Sequence, residues 1–75
     1  MHSRTVKFEY PLKSVNAPVV SSIVKQFDVA PNILSANIDP RTGGWLVVEL
    51  IGEIDNIDQA LAWTKENGIT VSDYV

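Results

Sequence analysis

The residues that could do chemistry in this chain are few, and they fall in two short stretches. The first is Pro31-Asn32-Ile33-Leu34-Ser35-Ala36-Asn37-Ile38, where a helical hydrophobic pattern gives way to an extended one with a side-chain amide at the junction. The Asn32 amide offers two donors and an acceptor, which suits an amino acid's carboxylate or ammonium, and Ile33 beside it is placed to line an apolar side-chain site. The plainer reading of the same residue is that an Asn at a helix-to-strand corner satisfies turn backbone. The second stretch holds the carboxylates Glu53, Asp55 and Asp58, which in principle form a metal or acid-base cluster. The helix macrodipole accounts for acids at a helix start equally well, and their spacing is not that of a calcium loop. Gly43-Gly44 lacks the spacing and the Lys-Ser/Thr ending of a phosphate-binding loop and reads as a turn.

Composition removes most other chemistries. With no cysteine there is no disulfide framework, no zinc-thiolate site and no iron-sulfur ligation within these residues. His2 is the only histidine and stands next to the terminus, where order is usually poor, so no catalytic triad and no metal site is expected. No nucleophile, base and orienting group can be assembled, and the chain reads as non-catalytic and free of cofactors. A net charge of −3, with six Lys and Arg scattered along the chain, argues against nucleic acid, which needs a clustered basic face. The apolar runs fall far short of the roughly 20 residues that span a bilayer, and no signal peptide opens the chain. No membrane insertion and a cytoplasmic location are the expectation.

The elements that must position Asn32 follow from periodicity. Arg4 to Tyr10 alternates, with Val6, Phe8 and Tyr10 on one face and Thr5, Lys7 and Glu9 on the other, as in a half-buried strand. Pro11 ends it, and Leu12 to Val15 form a short connection. Asn16 and Pro18 signal a helix entry, and Val19, Val20, Ile23, Val24 and Phe27 make one apolar stripe. Pro31 disfavours a helical Ala30, so this helix stops by about Asp28. In the second strand Leu34, Ala36 and Ile38 are expected to face the helices and Ile33, Ser35 and Asn37 the other side.

Asp39 to Gly44 reads as a hairpin loop, followed by Trp45 to Ile51, the most apolar run and the expected middle of the sheet. Asp55 is the expected cap of a second helix, with Asp58 as a variant capping box and Ile57, Ala60, Leu61 and Thr64 as its buried edge. Asn67-Gly68 closes that helix, and Ile69 and Val71 alternate in a fourth strand. Seventy-five residues with no internal linker make a single domain, residues 1–75, close to the lower limit of what folds unaided. The order βαββαβ predicts an α+β, ferredoxin-like fold: a four-stranded antiparallel sheet with two helices on one face.

That topology leaves one sheet face open. The outward set is expected to be Thr5, Lys7 and Glu9; Ile33, Ser35 and Asn37; Trp45, Val47, Glu49 and Ile51; and Thr70, Ser72 and Tyr74. Ile33, Trp45, Val47 and Ile51 are more apolar than a small isolated monomer tolerates, so a self-association or partner surface is expected on this face or the adjacent sheet edge. Scattered apolar residues that need no explanation are the alternative.

Several short motifs, in order, resemble those of the NIL domain: Asn16-Ala17-Pro18, Phe27-Asp28-Val29, Asn32 to Ile38, Gly52, and Ala60-Leu61-Ala62-Trp63 leading to Gly68-Ile69-Thr70-Val71. The letters that name that family stand at positions 32 to 34, and the resemblance runs from about Thr5 to Val75. It implies one of two settings. In one, the domain is similar to the C-terminal regulatory domain of the ATPase subunit of methionine ABC importers, which forms a homodimer and binds methionine to inhibit transport. In the other, it resembles the N-terminal domain of NIL-ferredoxins, which precedes cysteine-ligated iron-sulfur clusters and is linked to sulfur transfer in homocysteine synthesis. The segments Phe27 to Leu34 and Trp45 to Asp55 look closer to the second. Either way, Asn32, Ile33 and Leu34 are the positions that the resemblance marks as the candidate ligand region, with methionine as candidate ligand and an ABC ATPase or a ferredoxin domain as the candidate attached partner.

Overall fold

The alternation at the start of the chain forms a strand longer than expected. In a computed structural model describing residues 1–14 and 18–74, β1 runs His2–Tyr10 and takes in His2, which pairs with Gly52 and is exposed. A 3-10 turn, Leu12–Ser14, follows Pro11. The Asn16 helix-entry signal lies outside the described residues. The first helix, α1, spans Val19–Phe27 and stops at Asp28, whose left-handed φ of 55° turns the chain before Pro31 can disrupt it. Then come β2 (Ala30–Asp39), β3 (Gly43–Gly52), α2 (Ile54–Glu66) and β4 (Thr70–Asp73).

The strands form one antiparallel sheet in the order β2-β3-β1-β4, so β3 and β1 are central and β2 and β4 are edges. This is the expected split βαβ topology. Val6, Phe8 and Tyr10 of β1 lie opposite Val48, Leu46 and Gly44 of β3, and all but Gly44 join the core beneath Val19 and Ile23 of α1 and Ile57, Ala60 and Leu61 of α2. Phe27 and Trp63 flank that core with ring centroids 6.3 Å apart, where the two helices meet. Thr64 is fully buried, and its hydroxyl donates to the Ala60 carbonyl at 2.8 Å, which settles its polar atom within the helix.

The helix and turn chemistry follows the sequence with one correction. The α2 N-cap is Glu53, not Asp55, and neither carboxylate caps by its side chain; Asp55 lies in the first turn, where a negative charge meets the free N–H groups. At the other end, Ile69 N–H donates to the Thr64 carbonyl and Gly68 takes φ 85°, the bonding of a left-handed helix stop. In the hairpin, Gly43 takes φ 89°, and the Asp39 carboxylate accepts from the Arg41 N–H at 2.8 Å. Hydrogen bonds from the Arg41 side chain and backbone hold the Asp39 carboxyl below the usual carboxylate range.

Candidate functional site

The Asn32 stretch lies in β2, and β2 differs from its expected form in two respects. Its place at the sheet edge is that of the expected topology, but every residue from Ala30 to Ile38 is exposed, including Ala36 and Ile38 on the side expected to be covered, because the two helices lie over β1 and β3 and leave the outer strand bare. It also carries a β-bulge. Ile33 pairs with Val48 and Ser35 with Val47, so Leu34 is an extra residue with no partner in the ladder.

The bulge reverses one expected face. Directly opposed residues in an antiparallel pair share a face, so Ile33, opposite the core residue Val48, lies on the helix side with Ala36 and Ile38. The expectation that Ile33 points to the open face with Ser35 and Asn37, and that Leu34 joins Ala36 and Ile38 in strict alternation, is therefore corrected: one inserted residue shifts the period of two. Asn32 does point to the open face. It lies opposite Glu49, and its amide donates to Glu49 Oε1 at 3.3 Å.

Asn32 and Ile33 thus project to opposite sides of the sheet. A ligand that touches both must lie along the outer margin of β2, because only at an edge are the two faces reachable together. On the helix side of that margin, Ile33, Ala36 and Ile38 form one wall of a trough and Pro18, Val19 and Val20 of the α1 start form the other, enclosing about 280 Å³. Leu46 and Tyr10 contribute to its lining. Among the described residues no charged side chain lines it. Burial pushes the Tyr10 phenol above its ordinary value, so this group stays neutral at physiological pH.

Against known families, residues 4–73 match the NIL domain. The chain belongs to this family. It is 48% identical over 59 residues to a methionine import ATP-binding protein MetN of Helicobacter hepaticus, a match covering 75% of this chain and 17% of that protein. To MetN 2 of Acinetobacter baylyi it is 35% identical over 74 residues, covering 95% of this chain and 22% of that protein. The chain therefore spans about a fifth of the length of the curated relatives it matches, as a small accessory domain does. Among solved structures, the C-terminal domain of an ABC transporter ATP-binding protein from Enterococcus faecalis superposes with a TM-score of 0.82 at 22% identity, covering 93% of this chain and 81% of that one, a likeness of fold.

The other candidates in this NIL domain are arranged less favourably. Trp45, Val47 and Ile51 share the open face, yet Val47 is only 3% exposed and Trp45 and Ile51 are half-buried. Lys7 Nζ sits 5.5 Å from the Trp45 ring centroid, so a cation already covers the largest apolar surface there. β2 carries three large apolar side chains that solvent does reach, Ile33 and Leu34 at 55% and Ile38 at 43%, while Met1, Leu12, Ile54 and Tyr74 are exposed singly elsewhere. A wider hollow of about 660 Å³ opens at the hairpin end among Glu9, Asn37, Asp39 and Trp45, and its lining is more polar than apolar.

The acids Glu53, Asp55 and Asp58 do not converge either. Among the described residues no three His, Asp or Glu side chains are placed to hold a metal ion, and Asp58 faces Arg4 instead at 3.6 Å. What the sequence did not disclose is the trough, because its walls come from segments that read separately as a core stripe and the helix-facing side of a strand. No Gly or Pro marks Leu34 as a bulge, so nothing in the local sequence signals the change of face.

Proposed function

We propose that this NIL domain is a non-catalytic sensing module that self-associates through β2 and binds an amino acid, with methionine as the first candidate. The observation that carries the reading is the β2 edge: ten residues long, exposed from Ala30 to Ile38, and apolar at Ile33, Leu34 and Ile38. Such an edge is a template for pairing with another chain, and natural sheets blunt edges that are not used this way. Asn32, next to Glu49, supplies an amide and a carboxylate at the same margin, groups complementary to the carboxylate and ammonium of an amino acid. The relatives named as methionine import ATP-binding proteins support methionine and a setting beside an importer ATPase, in the cytoplasm. Regulation would operate by population shift: a ligand with higher affinity for one arrangement of two domains favours that arrangement in whatever is attached.

Calorimetry on the chain with L-methionine, alongside Asn32→Ala, tests the reading. The wild type is expected to bind, and the variant to lose about tenfold or more in affinity, roughly 1.4 kcal/mol, at unchanged far-UV circular dichroism. No heat from the wild type at millimolar methionine removes the sensing role. Equal loss of fold and binding in Asn32→Ala returns that residue to a turn-stabilising role.

A further inference from the structure

The C-terminal end of α2 holds a chemistry that neither the sensing role nor the sheet edges use. We infer that Asn67 is a site of spontaneous deamidation, which the folded end of α2 suppresses and the opening of that end releases. Of the five asparagines, Asn67 alone is followed by glycine; Asn32, Asn37 and Asn56 precede isoleucine, and Asn16 precedes alanine. The nucleophile in this reaction is the backbone nitrogen of the following residue, which a β-branched side chain crowds and a glycine leaves open. Exposure does not make the distinction, because Asn32 and Asn37 are exposed like Asn67.

The reaction needs no group beyond water. The Gly68 nitrogen attacks Asn67 Cγ, the side-chain nitrogen leaves as ammonia with the proton that Gly68 gives up, and a five-membered imide remains. Water then opens the ring. Cleavage of the bond from nitrogen to Cγ gives aspartate, and cleavage of the bond from nitrogen to the main-chain carbonyl gives isoaspartate, with the backbone rerouted through the side chain.

The folded end of α2 holds both reacting groups apart. Gly68 N–H donates to the Lys65 carbonyl at 3.1 Å, and Asn67 Nδ2 donates to the Trp63 carbonyl at 2.8 Å. The Asn67 ψ of 17° also leaves the Gly68 nitrogen on the far side of the Cα–C bond from Cβ. Attack therefore requires both hydrogen bonds to break and the last turn to unwind, a local opening of the kind that helix ends undergo. Once formed, the product weakens the end that restrained its formation. A carboxylate has no donor for the Trp63 carbonyl, and it places a negative charge at the negative end of the helix dipole. Ile69, buried in the core, and β4 follow directly, so the loss falls on the attachment of the short sheet edge.

The test is incubation of the wild-type chain in mildly alkaline buffer, folded and in guanidinium chloride, with tryptic peptides followed by mass spectrometry. The peptide of residues 66–75 contains Asn67 and no other asparagine, so its change from amide to acid is read separately from the others. In denaturant this peptide is expected to convert faster than those holding Asn32, Asn37 and Asn56, with isoaspartate among the products. In the folded chain its conversion is expected to be about tenfold slower, since two hydrogen bonds must open first. Asn67→Asp is expected to lower the folded-to-unfolded ratio about fivefold in denaturant titration. Equal rates at Asn67 in the folded and unfolded chain overturn the restraint by α2. No conversion of Asn67 in denaturant, or slower conversion there than at the asparagines that precede isoleucine, overturns the site itself, and wild-type stability of Asn67→Asp overturns its effect on the β4 attachment.

Discussion

The two edges of the sheet are built in opposite ways. β4 is four residues long, polar in sequence, and pinned where Arg4 donates to Asp73 Oδ1 at 2.8 Å and also faces Asp58. A short edge carrying charges is a common means of preventing unwanted strand pairing. β2 is ten residues long, carries no charged side chain before Asp39, and exposes Ile33, Leu34 and Ile38. Only Pro31 and the bulge interrupt it. The same fold protects one margin and leaves the other available, which separates what stability requires from what stability alone does not explain.

The largest expected effect breaks this contrast from the β2 side. Replacing Ile33 and Ile38 together with Lys is expected to weaken self-association by about 100-fold, roughly 2.7 kcal/mol, in sedimentation velocity, with the folded signal unchanged. A dimer that persists in this variant would make the two edges equivalent for assembly. On the β4 side, Arg4→Ala removes both ion pairs, which are largely exposed, and is expected to lower stability in urea by less than about 1 kcal/mol with no change of oligomeric state. A shift in sedimentation there would show that β4 takes part in assembly.

The smallest effect sharpens the account of how β2 is attached. The Asp39 carboxyl is lowered in the folded protein by Arg41, so its contribution is present above the unfolded carboxylate value and is lost as pH falls through the folded one. Asp39→Asn is therefore expected to lower the melting temperature slightly at pH 7, with the difference from wild type closing in acid below the usual carboxylate range of about pH 4. A difference that persists at pH 2 would assign the effect to the turn's neutral hydrogen bonds instead.

Much of this was readable in the chain. Val6, Phe8 and Tyr10 alternate without interruption, and Ile57, Ala60, Leu61 and Thr64 keep a helical period, so the central strand and α2 follow from pattern alone. β2 did not yield to the same reading. Its Leu34, Ala36 and Ile38 read as a face covered by helices, because an apolar strand margin left exposed and a strand face buried by helices use the same residue types. The bulge then moved Ile33 across the sheet with no glycine to mark it. Asn32 stands out in the sequence as the polar residue of this stretch, but its Glu49 partner comes from a strand seventeen positions away, and the trough wall from α1 became visible only when the chain was folded.

The unequal edges also limit how far any assembly can grow. Open-ended stacking of sheets requires each subunit to offer two usable margins, so that one is still free after the first contact. In the proposed assembly, strand addition through β2 would consume the long margin, and what each copy would then show outward is β4, short and fastened by Arg4. Joining through identical margins closes with two-fold symmetry and stops at two copies. In that assembly the brevity of β4 would act as a chain terminator, letting the long margin stay exposed without committing the protein to fibres.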